Sequence, residues 1–85
     1  MILKIYSRNR CPLCVEALEE LEKLKESMDI EIEVVDIYSD DALLEQYQLM
    51  IPVVEYDGMV LGYGNIKKDF IRKRLLDKKQ ETIVE

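Results

Sequence analysis

The chain has 85 residues, of which 48% are hydrophobic and 35% are charged, a composition typical of one small globular domain. Its formal net charge of −6 argues against a nucleic-acid-binding protein. The charge is uneven, because residues 1–64 carry a net −9 and residues 65–85 a net +3. The absence of histidine from the sequence excludes a cysteine–histidine hydrolase.

The first residues show no pattern typical of a targeting signal. The apolar run over residues 1–6 contains Lys4 and is followed by charged residues, whereas a secretory signal has a longer apolar region. No stretch approaches the roughly 20 apolar residues that a membrane span needs. We therefore expect a cytoplasmic protein with no membrane or nucleic-acid partner, and we also expect a monomer.

The two cysteines, Cys11 and Cys14, lie where a predicted strand gives way to a predicted helix. Residues 2–6 are mostly apolar and favour a buried strand. Pro12 suits the first position of a helix, and apolar side chains then recur at helical spacing to about residue 27. This spacing predicts that Cys11 lies near solvent at the helix start and that Cys14 faces inward.

Two thiols at this spacing can close a small disulfide and open it again. A thiol at a helix start faces unpaired backbone N–H groups and the positive end of the helix dipole, and both favour the nucleophilic thiolate. So short a disulfide loop removes little chain entropy, so the pair indicates chemistry rather than a structural cross-link. In a reducing compartment such a pair is more often catalytic or metal-binding than structural.

The middle of the chain predicts a second strand, a short helix and a hairpin. Residues 31–37 form the second strand, which completes a βαβ unit with parallel strands. Residues 39–41 are typical of a helix start. Asp57-Gly58 lies between apolar runs at 53–56 and 59–61, and this arrangement predicts a β-hairpin.

The last helix is predicted to follow a Gly62-Tyr63-Gly64 loop, with Asn65 as its N-cap. Its predicted buried side chains are Ile66, Phe70, Ile71 and Leu75. The chain therefore reads as one domain over 1–79 with a C-terminal tail over 80–85. The order β-α-β-α-β-β-α predicts an α/β fold with a mixed four-stranded sheet flanked by helices.

The last helix is also rich in basic side chains. They are Lys67, Lys68, Arg72, Lys73 and Arg74. We interpret them as a solvated face, and a docking surface for an acidic partner is the alternative.

Three features in this order resemble the thioredoxin fold and, within it, the glutaredoxin branch. A Cys-Pro-x-Cys pair follows the first strand, Ile51-Pro52-Val53 opens the third, and Gly62 follows the hairpin. The likeness is greatest to the small glutaredoxin-like proteins of bacteria and archaea, and it covers about residues 1–76. Their pattern also includes residues like Asp36-Ile37-Tyr38-Ser39-Asp40, Leu44 and Tyr47.

The resemblance implies a thiol–disulfide oxidoreductase that reduces protein or small-molecule disulfides. In it Cys11 attacks, Cys14 resolves, and Pro52 is cis and packs beside the disulfide. The backbone of Ile51 binds an extended substrate, and Arg8 contacts a carboxylate of glutathione, a co-substrate rather than a tightly bound cofactor. The implied substrate-binding residues are Arg8, Pro12, Leu13, Ile51, Pro52, Gly62 and Tyr63.

The sequence departs from the glutaredoxin pattern at three places. Leu13 stands where tyrosine is usual, Gly62-Tyr63 replaces a Gly-Gly pair, and Asn65 falls near the usual acidic residue. Two electron donors therefore stay open, glutathione and a thioredoxin-reductase-like flavoprotein, and the departures favour the second.

A different class of function also stays open for the cysteine pair. A structural zinc needs four ligands, and the chain offers two thiols and no imidazole. The alternative to exchange chemistry is therefore a noncatalytic thioredoxin-fold module, or a zinc or iron–sulfur carrier whose site is shared by two chains.

Overall fold

The computed structural model describes the backbone of residues 1–84 and the side chains of residues 1–77. Its strands are β1 (Ile2–Ser7), β2 (Glu31–Asp36), β3 (Val53–Tyr56) and β4 (Met59–Tyr63). Its helices are α1 (Pro12–Leu24), α2 (Asp41–Tyr47) and α3 (Lys68–Val84), with a 3-10 turn over Ile37–Ser39. None of the described helices has the length and apolar character needed to cross a membrane. The predicted tail over 80–85 extends past the described side chains, so that division stays a prediction.

The sheet has the strand order β2-β1-β3-β4. β1 is parallel to β2 and antiparallel to β3, and β3 is antiparallel to β4, so the predicted mixed sheet is confirmed. The register aligns Ser7 with Asp36, Tyr6 with Val53, and Val53 with Tyr63. The ends of β1, β2 and β4 and the start of β3 therefore share one end of the sheet.

Alternation along the central strands produces two hydrophobic layers. Leu3 and Ile5 of β1 belong to a cluster with side chains of α1 and α3. Tyr6 belongs to a second cluster with Tyr47 of α2, on the opposite face of the sheet. The sheet is therefore covered by two helices on one face and by α2 on the other, as the α/β pattern predicts.

The β3–β4 hairpin forms where Asp57-Gly58 predicts it. Both turn residues have positive φ, +52° and +79°, as a type I′ turn requires. The predicted loop over Gly62-Tyr63 is wrong, because these residues continue β4 and pair with Val54 and Val53. The register steps from Glu55↔Val60 to Val54↔Gly62, so Leu61 is the extra residue of a β-bulge.

The predicted N-cap of the last helix is also wrong. α3 begins at Lys68, whose backbone N–H donates to Oε1 of Glu20 on α1 over 2.9 Å, so a side chain from another helix replaces Asn65. Phe70 was predicted to be buried, but it is 53% exposed. The buried stripe runs through Ile71 and Leu75, an i,i+4 pair, so Phe70 falls at its margin.

Candidate functional site

Cys11 is the N-cap residue of α1. Its backbone is extended (φ −115°, ψ 103°), and Pro12 occupies the first helical turn, where a missing N–H costs nothing. The carbonyl of Cys11 accepts hydrogen bonds from the N–H groups of Cys14 (3.0 Å) and Val15 (3.1 Å). Its sulfur also accepts from the Cys14 N–H, over 3.2 Å. The thiol is therefore held over the N-terminus of the helix, as predicted.

Both cysteines are buried, and each is 7% exposed. The prediction that Cys11 lies near solvent is therefore wrong, whereas the inward position of Cys14 is confirmed. The cause is the orientation of the Cys11 side chain, which turns back toward the first turn of α1 instead of outward. Because the two thiols are equally exposed, exposure does not indicate which one attacks and which one resolves. That assignment depends on their protonation.

The surroundings of the two thiols shift their pKa values in opposite directions. Burial raises the pKa of Cys11, but hydrogen bonds from the Cys14 thiol and backbone and from Arg8, with the charge of Arg8, outweigh it and leave that pKa lowered. Burial, together with the hydrogen bond to Cys11 and the charge of Cys11, raises the pKa of Cys14 to about 11, although Arg8 acts in the opposite direction. Cys11 therefore loses its proton more readily than Cys14 does.

Arg8 is the charged partner of this thiol. It lies one residue beyond β1, and its hydrogen bond and positive charge both lower the pKa of Cys11. Arg10 has a left-handed backbone, with φ at 57°, immediately before Cys11. The loop between β1 and α1 thus brings one of its two arginines to the sulfur.

The Ile51–Pro52 peptide bond is cis, as the resemblance implies. Pro52 is fully buried, and its carbonyl accepts a hydrogen bond from the N–H of Gly64 over 2.8 Å. Since Tyr6 pairs with Val53, the start of β3 lies beside the end of β1 and its cysteine-bearing loop. The sheet register therefore brings Pro52 to the same end as Cys11.

The backbone N–H of Ile51 is already engaged. It donates to the carbonyl of Tyr47 over 3.1 Å, and the N–H of Met50 donates to the same carbonyl over 2.8 Å. In the part of the chain that the structure describes, the Ile51 carbonyl has no such partner. The N–H of Ile51 is therefore occupied, whereas no backbone N–H of the described residues binds its carbonyl.

Other residues implied by the resemblance present accessible surface. Pro12 is exposed, Leu13 is 44% exposed and Tyr63 is 61% exposed, whereas Gly62 is half-buried. Tyr63 pairs with Val53, one residue from Pro52. The Tyr63 end of β4 thus lies at the same end of the sheet as Pro52.

Two residues behind this site were not singled out as functional from the sequence. The rings of Tyr6 and Tyr47 lie 4.8 Å apart at 31°, and the Tyr6 hydroxyl donates to Oε2 of Glu55 over 3.1 Å. Burial and this hydrogen bond raise the pKa of Tyr6 to about 12. Tyr47 carries the carbonyl that binds Ile51, so the pair supports the loop before Pro52. The alternation of side chains along β1 could have indicated that Tyr6 faces away from Leu3 and Ile5. Its contacts with Tyr47 and Glu55 join distant parts of the chain, so the sequence pattern did not reveal them.

The mixed sheet, the helix-capping Cys-x-x-Cys pair and the cis proline define a thioredoxin-fold protein. A family model described as "Glutaredoxin-like domain (DUF836)" matches residues 2–79. The chain therefore belongs to this glutaredoxin-like family, which confirms the resemblance seen in the sequence.

Solved structures agree with this fold. The chain is similar to the structural genomics target protein XcR50 from X. campestris, with a TM-score of 0.76 and 29% identity over 88% of this chain and 96% of that chain. Thioredoxin 1 from Thermosipho africanus matches with a TM-score of 0.66 and 16% identity over 96% and 98% of the two chains. This second likeness concerns the fold alone. Among curated proteins, none matches this sequence.

Proposed function

We propose that this protein is a dithiol–disulfide oxidoreductase that reduces protein or small-molecule disulfides, with Cys11 as nucleophile and Cys14 as resolving thiol. The observation that carries the proposal is the position of the Cys11 sulfur as N-cap of α1, 3.2 Å from the Cys14 N–H. These surroundings lower the pKa of Cys11, whereas the pKa of Cys14 is raised to about 11. The thiolate is the attacking species in disulfide exchange, so the attacking and resolving roles follow from protonation.

In the first step, the Cys11 thiolate attacks one sulfur of a substrate disulfide. A bond forms between Cys11 and that sulfur, the substrate disulfide breaks, and the other substrate sulfur leaves as a thiolate that takes a proton from water. Once Cys11 is in a mixed disulfide, its negative charge no longer favours the protonated form of Cys14. Formation of the mixed disulfide thus eases deprotonation of the resolving thiol.

In the second step, the Cys14 thiolate attacks the sulfur of Cys11. The mixed disulfide breaks, the Cys11–Cys14 disulfide forms, and the second substrate sulfur leaves as a thiolate. Two electrons have then passed from the protein to the substrate. We propose that the carbonyl of Ile51 holds an extended substrate beside the pair, since its N–H is bound by Tyr47.

The test uses the Cys14→Ser variant, which cannot complete the second step. The reduced variant is mixed with oxidised glutathione or a disulfide-bonded protein, and mass spectrometry locates the product. We expect a stable mixed disulfide on Cys11, and the matched Cys11→Ser variant should form far less. No adduct with Cys14→Ser, or equal adducts with both variants, would contradict the proposal.

For the electron donor, we propose a thioredoxin-reductase-like flavoprotein in preference to glutathione. Tyr63, where the glutaredoxin pattern has a second glycine, is 61% exposed beside the strand that follows Pro52. Turnover is compared with glutathione plus its reductase and with a flavoprotein reductase. We expect faster turnover with the flavoprotein than with glutathione. In Tyr63→Gly, we expect the turnover with glutathione to increase. Faster turnover with glutathione in the unaltered protein would contradict the flavoprotein as the donor.

The metal-carrier alternative has a separate test. No group of three His, Cys, Asp or Glu side chains among residues 1–77 is placed to hold a metal ion, so a carrier would need ligands from outside these residues, as a site shared by two chains would provide. Metal at a fixed ratio to protein, lost together with dimerisation in Cys11→Ser, would favour that alternative. We expect no fixed ratio of metal to protein. We also expect the protein to be active in a reducing compartment such as the cytoplasm.

A further inference from the structure

A groove of about 470 Å³ runs between β4 and the start of α3, and neither cysteine lines it. β4 is the last strand of the sheet, so its outer edge has no strand partner within the described residues. Outward-facing N–H and C=O groups of such an edge are available to an added strand. The groove therefore combines backbone hydrogen-bonding groups with the side chains of a helix.

Gly62 lines this groove where the strand approaches the helix. A Cβ at this position would lie 3.4 Å from Cε2 of Phe70 and 3.5 Å from the Cδ1 atoms of Ile66 and Ile71. These are ordinary van der Waals distances, so the backbone of β4 at Gly62 lies close to these helix-side side chains. Phe70 is 53% exposed, so its aromatic ring lines the groove while open to solvent.

Basic side chains flank the exposed ring. Lys67, immediately before α3, lines the groove together with Phe70 and Arg74 of α3. Their spacing of i, i+3 and i+7 places them on one side of the helix and its first turn. This spacing separates Lys67 from Arg74 by about 10 Å along the helix axis. Among the side chains that the structure describes, neither forms an ion pair. The groove thus presents an aromatic ring between two cations.

The two edges of the sheet differ in charge. β2, at the opposite edge, carries Glu31, Glu33 and Asp36, and charged side chains on an edge oppose the addition of another strand. β4 has the sequence Met-Val-Leu-Gly-Tyr and carries no charge. The bulge at Leu61 interrupts the pairing of β4 with β3. Met59, at the start of β4, is 42% exposed. The β4 edge is therefore the one suited to strand addition.

We propose that this groove docks an extended segment of a partner protein in which an apolar side chain is flanked by carboxylates on the same strand face. The segment lies along the edge of β4, its apolar side chain packs on Phe70, and its carboxylates reach Lys67 and Arg74. Alternate residues of a strand share one face, so an acidic–x–apolar–x–acidic segment meets these three contacts. Because it involves neither cysteine, this docking goes beyond the proposed exchange chemistry.

The probe is a short fluorescent peptide in which glutamate, leucine and glutamate alternate with threonine. Binding is measured by fluorescence anisotropy at physiological salt, with the full chain carrying Cys11→Ser and Cys14→Ser so that no disulfide can form. We expect Arg74→Glu to weaken binding by about tenfold, since a favourable contact becomes repulsive. The matched control is Arg72→Glu, an identical charge change on an exposed residue of α3 outside the groove, and it should weaken binding far less.

Backbone amide NMR locates the bound peptide. We expect shifts and slower hydrogen exchange for the amides of Met59–Tyr63, and loss of binding in Phe70→Ala. Equal losses in Arg74→Glu and Arg72→Glu would reduce the effect to general attraction by a basic helix and overturn the proposal. Shifts confined to 11–14, or a dimer of the chain that occupies β4 and excludes the peptide, would overturn it too. Since the variant lacks both thiols, these outcomes are independent of any failure of the exchange chemistry.

Discussion

The backbone N–H of Cys14 donates a hydrogen bond to the sulfur of Cys11 over 3.2 Å and also reaches the Cys11 carbonyl at 3.0 Å. The Cys14 thiol donates to the same sulfur. One residue therefore stabilises negative charge on Cys11 through both its backbone and its side chain. The ionisation of Cys11 depends on the geometry of a single helical turn and on Arg8 beside it.

The first prediction concerns Arg8. Replacement by glutamine removes a hydrogen bond and a positive charge from Cys11, so the pKa of Cys11 should rise. Since each pKa unit changes the thiolate fraction about tenfold, alkylation of Cys11 at mildly acidic pH should slow by up to about tenfold. Iodoacetamide alkylation is measured against pH in Cys14→Ser, so that only Cys11 reacts. Arg10→Gln is the control, and an equal shift there would show that Arg8 has no special contact.

The second prediction concerns the thiol of Cys14. Cys14→Ala removes the side-chain donor to Cys11 but keeps the backbone N–H, so the pKa of Cys11 should rise. Cys14→Ser keeps a donor and should shift it less. The pH dependence of thiolate absorbance in the ultraviolet measures both variants. Indistinguishable titrations of the two would show that the Cys14 side chain does not stabilise the thiolate.

The third prediction concerns Tyr6. Tyr6→Phe removes the hydrogen bond to Glu55, and the free energy of unfolding should fall by about 1 kcal/mol. Because the pKa of Tyr6 is raised to about 12, its protonated form stabilises the fold up to the pKa of an unfolded tyrosine near 10, and this contribution is lost as pH rises toward 12.

Urea denaturation from neutral to alkaline pH tests the role of Tyr6. The unaltered protein should lose more stability across the alkaline window than Tyr6→Phe does. Tyr38, which is 60% exposed, provides the control variant Tyr38→Phe. Parallel alkaline losses in all three proteins would contradict the raised pKa that burial and the hydrogen bond to Glu55 give Tyr6.

The fourth prediction concerns the link between α1 and α3. Glu20 accepts the first backbone N–H of α3 with one oxygen and binds Lys23 with the other over 3.2 Å. Glu20→Ala should lower Tm by several degrees, because an end group of the helix loses its partner. Glu22→Ala, which removes only a surface contact at 4.0 Å with Lys25, should change Tm far less.

The pH dependence of that effect has a definite sign. Hydrogen bonds from the Lys68 N–H and from Lys23 lower the pKa of Glu20. The stabilisation is therefore fully present above the pKa of an unfolded glutamate, near 4.3, and is lost as pH falls through the lower folded pKa. The Tm difference between Glu20→Ala and the unaltered protein should narrow in acid, and a constant difference would contradict the cap.

The fifth prediction concerns the hairpin turn. Gly58 has φ +79° and open space around its Cα, so Gly58→Ala introduces backbone strain without a clash. We expect a loss of about 1–2 kcal/mol in the free energy of unfolding. Gly64 has φ +75° and equally open surroundings, so Gly64→Ala should cost a similar amount. Urea denaturation measures both variants. No loss in Gly58→Ala would contradict the assigned turn geometry, and no loss in Gly64→Ala would contradict the positive φ after β4.

Local patterns in the sequence were sufficient for the element order and for the helix start at the cysteines. Pro12 and the apolar spacing after it predict α1, and Asp57-Gly58 predicts the hairpin, because these signals act within a few residues. Burial of a side chain at the margin of a helix face depends on the elements packed against it, so the prediction that Phe70 is buried was wrong. The continuation of β4 through Gly62 and Tyr63 depends on pairing with β3, which glycine content alone does not reveal.

By itself, the sequence determined the α/β order, the pair Cys11 and Cys14 at a helix start, and a basic last helix, since chain proximity and side-chain period decide such features. Only the tertiary structure decided that Cys11 is as buried as Cys14, that Glu20 caps α3, and that Tyr6 packs on Tyr47. Each of these contacts joins residues or surfaces brought together by packing. The ionisation of Cys11 depends on both. The helix start, which favours the thiolate, can be predicted from the local sequence, whereas the burial that opposes ionisation comes from the tertiary structure.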